Sequence, residues 1–435
     1  MIQEIRIKNF LSFKDETVFS FEATKDTFAE DCQVVKINEN TRLLRFAVVY
    51  GYNASGKSNL LRAFDFLSKF WRNKPDDPDE TIIDVTPFKL DAKTPKEHSH
   101  FELLFWVDGK KYWYQLELDQ HQVYQENLYY YKTTQPAMLF ERYLEKGQTV
   151  VKYNTLLKVD NVIKKSISAA CLKNMSFFVA RRQVNADIPE IDIALGWMRD
   201  NVMECIWPTT NLTQYAQRRC EKEKELSQYL LDFLREADFN ITGILTETIE
   251  RPLPQEFMNF VDVAVNAKMF SQELKSRISE GKYKRVQHRT IFNHIVNNER
   301  GEEKYQLVVG SDGEEEESRG TLRTYGLESA LFTAINQQSL LPIDEIETSL
   351  HPKLLEKILY EFLKVNSKSQ LIVTTHNDGL LDLVSDLIRK DSVWFTEKKK
   401  SGASELYKLT DFRGVNRLSS IREAYRNKRF GATMN

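Results

Sequence analysis

At 435 residues the chain is longer than one hydrophobic core usually supports, which predicts two domains, or one large domain carrying a sizeable insertion. Hydrophobic residues at 41% and charged residues at 29% exclude a disordered chain. Lys and Arg number 61 against 63 Asp and Glu, a net charge of -2, which excludes a protein that coats nucleic acid by overall charge and leaves room only for a local patch.

The N-terminal IQEIRI reads as a strand, and Glu4, Arg6 and Lys8 sit where a secretory signal would be uniformly apolar. A loop, NFLSFKDET, leads to a second extended run at Val18, Phe19 and Phe21. Leu43 to Tyr50 is an almost continuous apolar run, the pattern of a strand buried on both faces. Gly51 to Ser58 follows it, and then a helix with Leu60, Phe64, Leu67 and Trp71 on one face. Residues 73 to 98 carry Pro75, Pro78, Pro87 and Pro95 and read as a surface loop, acidic over 76 to 84.

From 99 to 155 the apolar period drops to two, with a turn at Asp108-Gly109, which predicts an antiparallel sheet. Residues 156 to 300 read as mainly helical, with Leu212 to Ala237 the longest candidate helix, and strands return at Arg289 to Val296 and Tyr305 to Val309. Beyond an acidic stretch at 312 to 317, residues 318 to 410 alternate helix and strand as a mostly parallel sheet does. A sheet begun at the N-terminus and finished at the C-terminus is therefore expected, with 73 to 300 largely inserted. The expected divisions are 1–72, 73–155, 156–300 and 301–435.

No run approaches the ~18 consecutive apolar residues of a membrane-spanning helix. Cys32, Cys171, Cys205 and Cys220 show no CxxC pair or metal-ligand spacing, which predicts reduced thiols and a cytoplasmic protein with no membrane partner.

Gly51-Tyr52-Asn53-Ala54-Ser55-Gly56-Lys57-Ser58 satisfies G-x-x-x-x-G-K-[ST], with Asn59 next on the helix. Phosphate oxygens need backbone N–H donors at close range, which glycines permit, together with the positive end of a helix dipole. Lys57 is placed to reach the β- and γ-phosphates and Ser58 to offer its hydroxyl to Mg²⁺. A glycine turn before an ordinary helix is the plainer alternative, and the strand before and helix after argue against it. The expected ligands are ATP and Mg²⁺.

Further on, an apolar strand ends in Asp344-Glu345. Asp344 would order the Mg²⁺ water shell and Glu345 would polarise the attacking water. Two acids at the exposed end of a strand are the alternative. Leu371 to Thr375 is another apolar strand, capped by His376, which suits a hydrogen bond to a γ-phosphate or an ordinary surface histidine. Upstream, Glu317-Ser318-Arg319-Gly320-Thr321 opens a helix. Ser318 and Gly320 can present N–H groups to an anion there, and Ser318 or Thr321 can equally serve as an N-cap.

The order of these motifs resembles the ABC-type ATPase head of SMC and RecF-like proteins. On that resemblance Ser318 and Gly320 belong to the signature loop, Asp344-Glu345 to Walker B, Ser349-Leu350-His351-Pro352 to the D-loop, and His376 is the switch histidine. It implies that the signature of one subunit closes on the γ-phosphate held by the P-loop of another, so that ATP joins two heads as a homodimer or within a higher oligomer.

More narrowly, IKNFLSF, ESRGTLR, DEIETSLHP, TTHN and AYRNKRFGA look like bacterial AAA15/AAA21-type ATPases. These include ATPase subunits of phage-defence and abortive-infection systems that work beside a separate nuclease or toxin. The fold class implied is α/β: an ABC-type P-loop ATPase head with an antiparallel β lobe and an inserted mainly helical subdomain.

Four features depart from the family pattern. Pro342 lies inside the Walker B strand, which points to an edge or a bulge. Arg319 and Thr321 replace the transporter-like glycine and glutamine. The Q-loop glutamine, a metal-shell residue, has Gln183 as its candidate. Glu347 adds an acid beside the base or simply a first-turn charge.

A transporter subunit is excluded by the long separation of Gly51 from Ser318, and a fused TOPRIM nuclease by the short remainder after His376. The tail, 411 to 435, reads as a solvated helix or a docking segment. Lys275, Arg277, Lys282, Lys284, Arg285, His288 and Arg289, interleaved with Tyr283, can follow a nucleic-acid backbone or form a wet face.

The expected function is hydrolysis of ATP to ADP and phosphate, driving head dimerisation that controls an effector such as a nuclease or toxin in anti-phage defence. The alternatives are a stand-alone DNA-repair or maintenance ATPase that binds DNA directly, and a regulatory scaffold that holds ATP with weak turnover.

Overall fold

All five side chains of the strand Phe46–Tyr50 are apolar and all are buried, so the strand occupies the middle of a sheet. In the computed structural model, which describes residues 1–75, 82–157, 159–237, 239–267, 269, 271–281, 283–298, 301–310 and 315–433, that sheet has five strands. Their order is Leu340–Ile343, Gln370–Thr374, Phe46–Tyr50, Val393–Lys398, Ser404–Lys408. The first four run parallel, and the last is antiparallel to its neighbour. Thr374 pairs with Val49 and Ile343 with Val373, so the carboxyl ends of three strands distant in sequence lie side by side. In open parallel sheets that edge is where ligands bind.

Pro342 lies on the edge strand, as its missing donor requires. Leu340 N and Asp344 N both donate away from the sheet, to Asn201 O and Ile206 O at 2.8 Å each. Nitrogens two residues apart point the same way along a strand, so that of Pro342 faces the irregular segment 201–206, where no ladder donor is needed. The sheet is completed by the helix Lys57–Phe70, whose Leu60, Leu61, Phe64 and Leu67 are almost wholly buried, each contributing about 1.5–3 kcal/mol.

The N-terminal strand departs from expectation. Ile2–Lys8 is not part of the parallel sheet but pairs antiparallel with Ser99–Val107 and Thr17–Ser20, inside a seven-stranded antiparallel sheet. The remaining members are Lys110–Leu118, Val123–Tyr131, Pro136–Glu145 and Gln148–Tyr153. The two sheets and the helices up to Pro189–Asp200 share one core.

The chain divides into two compact units. One comprises 1–210, 333–348 and 355–435; the other comprises 211–332 and 349–354. The expected divisions at 73 and 156 both fall inside the first unit.

In the second unit the expected single helix over Leu212–Ala237 is two, Leu212–Cys220 and Lys224–Glu236, parted by the charged Glu221-Lys222-Glu223. The segment expected to be mainly helical contains a three-stranded antiparallel sheet of Ile241–Pro252, Lys284–Asn298 and Gly301–Gly310. The first of these strands escaped the sequence reading because Ile241 is buried while Leu245 is exposed, which blurs the alternation. Ala216, Leu230, Leu234, Phe292 and Tyr325 form this unit's core.

Over its described residues the tail carries the short helix Ile421–Arg426 and is anchored to the fold rather than solvated along its length. Phe430 and Ala432 are fully buried, and Phe430 stacks on Phe395 at 5.4 Å. Residues 76–81, part of one acidic loop, and 312–314, part of the other, lie outside the described residues.

A buried ion pair ties the antiparallel sheet to its covering helix. Arg142 Nη1 donates to Glu126 Oε2 at 2.8 Å with both side chains fully buried. Glu126 also accepts from Tyr114 Oη at 3.0 Å, and from Ser176 Oγ and Phe177 N at 2.7 Å each, at the start of the helix Phe177–Arg182. Arg142→Ala leaves that carboxylate unpaired and should cost about 3–5 kcal/mol, read as a lower thermal unfolding midpoint, whereas the double change E126Q/R142M should recover most of the loss.

Candidate functional site

Gly51–Gly56 turns the chain from the central strand into the helix that begins at Lys57. Gly56 has φ 118°, and a Cβ there would lie 2.8 Å from Ser404 Cβ and 3.0 Å from Ser12 Oγ, so only glycine fits. The loop is held from beneath by a hydroxyl network. Ser404 N donates to Ser12 O at 2.7 Å and Ser404 Oγ to Ser55 O at 2.5 Å. Asn59 Nδ2 donates to Ser12 Oγ at 2.8 Å, and Ser55 Oγ meets Thr396 Oγ1 at 2.7 Å. Ser55 and Asn59 thus serve the loop's shape, while Asn53 and Ala54 are exposed at its tip, Ala54 in the left-handed region at φ 65°.

Lys57 Nζ donates to Gly51 O at 2.7 Å and Tyr52 O at 3.3 Å, and stands 3.4 Å from His376 Nδ1. Burial lowers its pKa to about 8, against the opposing pull of Asp344, Glu345 and Glu347. Ser58 Oγ donates to Asp344 at 2.9 and 3.0 Å, joining the start of the helix to the end of the edge strand.

Thr374 Oγ1 donates to Asp344 Oδ1 at 2.6 Å and accepts from Glu345 N at 2.9 Å. Glu345 takes φ 47°, a conformation costly for a non-glycine residue, and the Thr374 contact helps hold it there. Its Oε1 lies 3.1 Å from His376 Nε2. Glu347 Oε1 accepts from His376 N at 2.5 Å, while its Oε2 is buried without a hydrogen bond. Lys57, Ser58, Asp344, Glu345 and His376, expected on separate motifs, are one contiguous cluster.

The residues present fit a nucleotide and Mg²⁺. The glycine cradle leaves backbone N–H groups open to phosphate, and Ser58 with Asp344 is a sparse oxygen set. Such a set suits an ion that takes most of its ligands from water and phosphate. Among the described residues no group of three or more His, Cys, Asp or Glu stands together as a metal cage.

Gln183 is not brought to this cluster. It caps the helix Phe177–Arg182, exposed, with Nε2 3.4 Å from Val179 O. The segment that reaches Asp344 is instead 202–206, through Ile206 O, and it contains no glutamine.

In the second unit, Ser318 is the N-cap of Arg319–Gln337, accepting from Thr321 N at 3.1 Å. A Cβ on Gly320 would lie 3.3 Å from Ser349 O, so the segments expected to be the signature and D-loop touch at a glycine.

The basic segment is locally paired. Lys275 meets Asp262 at 2.9 Å, Lys284 meets Glu250 at 2.8 Å, His288 meets Glu221 at 3.2 Å and Arg289 meets Glu247 at 3.8 Å. Lys282 lies outside the described residues.

Sequence reasoning missed Thr374, Ser12, Ser404 and Thr396. Thr374 was open to discovery as a hydroxyl at the end of an apolar strand. The serine network was not, because its members meet only through the fold.

A strand–glycine loop–helix at the carboxyl edge of a parallel sheet, facing an acid pair and a histidine from neighbouring strands, defines an ABC-type P-loop ATPase head. The chain belongs to the family described as "AAA domain, putative AbiEii toxin, Type IV TA system", whose profile matches residues 46–169 and 222–382.

The chain is also similar to an SMC head domain from Thermotoga maritima, at 13% identity and TM-score 0.39, over 94% of this chain and 98% of that one. An SMC head bound to the C-terminal winged-helix domain of ScpA matches at 12% and 0.46, over 98% and 99%. An SMC head with an extended coiled coil, bound to the C-terminal domain of ScpA derived from Pyrococcus furiosus, matches at 12% and 0.40, over 99% and 98%. At this level the similarities carry no information on function. No curated protein matches the chain. Among the described residues no helix is long and apolar enough to cross a membrane, and Cys32, Cys171, Cys205 and Cys220 are free thiols.

Gly56→Ala should weaken binding of a fluorescent ATP analogue at least about tenfold, because the added methyl meets Ser404 and displaces the loop, while circular dichroism stays unchanged.

Proposed function

We propose that this chain hydrolyses ATP to ADP and phosphate, and that the nucleotide cycle joins and releases two heads to control a partner effector. The observation that carries the reading is the Ser58–Asp344 hydrogen bond beside Glu345, His376 and Lys57, each within 3.4 Å of the next member. Lys57, charged when phosphate lies beside it, would offset negative charge on the β- and γ-phosphates. Mg²⁺, when bound, would neutralise the same phosphates, held by Ser58 and Asp344. Water attacks the γ-phosphorus, the bond to the ADP oxygen breaks, and Glu345 takes the water's proton. His376, 3.1 Å from Glu345, orients that carboxylate.

Gln183 is left out of the proposed metal shell, since it lies exposed at the end of its own helix with Nε2 3.4 Å from Val179 O. Ser318 and Gly320 are proposed to act on nucleotide held by a second copy, which makes the functional unit at least a pair of heads. The effector reading, a nuclease or toxin in defence against phage, draws its support from a family whose description names a putative toxin of a Type IV TA system. It is favoured over direct DNA binding because Lys275, Lys284, His288 and Arg289 each already face an acid that a nucleic-acid backbone would have to displace.

Glu345→Gln should lower turnover by at least about a hundredfold while ATP still binds; an unchanged rate of phosphate release would remove Glu345 from the role of base. In the Glu345→Gln background, light scattering with ATP should report a doubled mass. Adding Ser318→Arg should return it to the single-chain value, and a dimer that persists would refute the action of the signature across subunits.

A further inference from the structure

The loop that carries His376 has little apolar packing of its own. His376 is exposed, Asn377, Asp378 and Gly379 are half-buried, and the next fully apolar anchor is Leu380. Local bonds shape it: Asn377 N donates to Thr375 Oγ1 at 2.9 Å, and Asn377 Oδ1 accepts from Gly379 N at 2.9 Å.

Asp378, two residues beyond the histidine, is gripped from outside. Arg422 Nε reaches its Oδ1 at 3.0 Å, while Arg426 Nε and Nη2 reach Oδ2 and Oδ1 at 2.5 and 3.2 Å. Arg422 Nη1 also donates to Asp382 Oδ2 at 2.6 Å, so one guanidinium spans both ends of the short helical turn Asp378–Leu383.

Both arginines lie on the short helix Ile421–Arg426, which is itself fixed to the parallel sheet. Tyr425 stacks on Phe395 at 5.5 Å, lies 5.9 Å from Tyr50 at the end of the central strand, and donates to Ala432 O at 3.0 Å. Tyr407 Oη donates to Phe430 O at 2.8 Å, closing the tail against the strand Ser404–Lys408. The histidine loop is therefore held between Glu347 on one side and a rigid C-terminal element on the other.

We propose that Arg422 and Arg426, closing on Asp378, are positioning residues that aim His376 at Glu345 and Lys57, so that the C-terminal helix sets the rate of hydrolysis. The proposal rests on the reading of His376 as part of the hydrolysis site. Its physical basis is a difference of scale. Partly exposed ion pairs add little to stability, so they are a weak means of holding the fold together. The 3.1 and 3.4 Å contacts of the imidazole, by contrast, are lost on a displacement of about 1 Å, which can cost up to about a hundredfold in rate.

The test uses the full chain and measures ATP turnover beside affinity for a fluorescent ATP analogue. Asp378→Asn and the pair R422A/R426A should each lower kcat about tenfold with affinity changed less than about twofold. R422K/R426K, which keeps the charges, should recover part of the loss, and it remains the informative variant if the alanine pair does not fold. In a His376→Ala background, Asp378→Asn should have no further effect, because both act through one group.

A full additional loss in that background would make Asp378 a residue of general structure and overturn the proposal. Wild-type turnover in Asp378→Asn, with His376→Ala impaired, would overturn the clamp and leave the reading of the site standing. Wild-type turnover in His376→Ala would overturn both.

Discussion

The parallel pairing of Phe46–Tyr50 with Gln370–Thr374, and of the latter with Leu340–Ile343, is the constraint on which the rest depends. It sets the phosphate loop, the acid pair and the histidine at one edge of one sheet, although Ser58 lies 286 residues before Asp344. A single hydrogen bond, Ser58 to Asp344, then ties the first to the second across the edge. Bonds to charged groups contribute about 1.5–3 kcal/mol, enough to fix side chains that the sheet has already brought together but not enough to assemble them.

Several features of the site are costly alone and tolerated because neighbours compensate. The lysine is buried, which lowers its pKa and leaves it ready to gain from an added phosphate, while Gly51 O accepts its hydrogen bond. Glu345 is held in the left-handed region while Thr374 bridges it to Asp344. Glu347 spends one oxygen on the backbone of His376 and leaves the other buried without a partner. Strain and unmet polarity collected at one place are more expected of a functional centre than of a packing core. Elsewhere in the first unit Glu126 is met by Arg142, Tyr114, Ser176 and Phe177, while Arg142 Nε is left buried without a partner.

The tail shows how a charge count misleads. Its basic residues suggested a wet helix or a docking segment; the wet helix is set aside by the burial of Phe430 and Ala432 and by two arginines that meet Asp378. The basic segment at 275 to 289 repeats the lesson, since Lys275, Lys284, His288 and Arg289 each face an acid from a neighbouring element. In both places charge pairing is a property of the folded surface and is invisible in linear composition.

The sequence by itself determined whatever rests on local chemistry. That covers the phosphate loop and its helix, the apolar strands ending in Asp344-Glu345 and His376, the proline on an edge, and the alternation that builds 99 to 153. Each is written in the spacing of a few adjacent residues. It did not reveal that Ile2–Lys8 joins the antiparallel sheet, that Ile241–Pro252 is a strand, or that Gln183 stands apart from the site. Only the tertiary structure decided those, along with the contacts of Ser12, Ser404, Thr374 and Asp378. They depend on which distant segments become neighbours, and a hydrogen bond between residues 12 and 404 leaves no periodic trace in the chain that makes it.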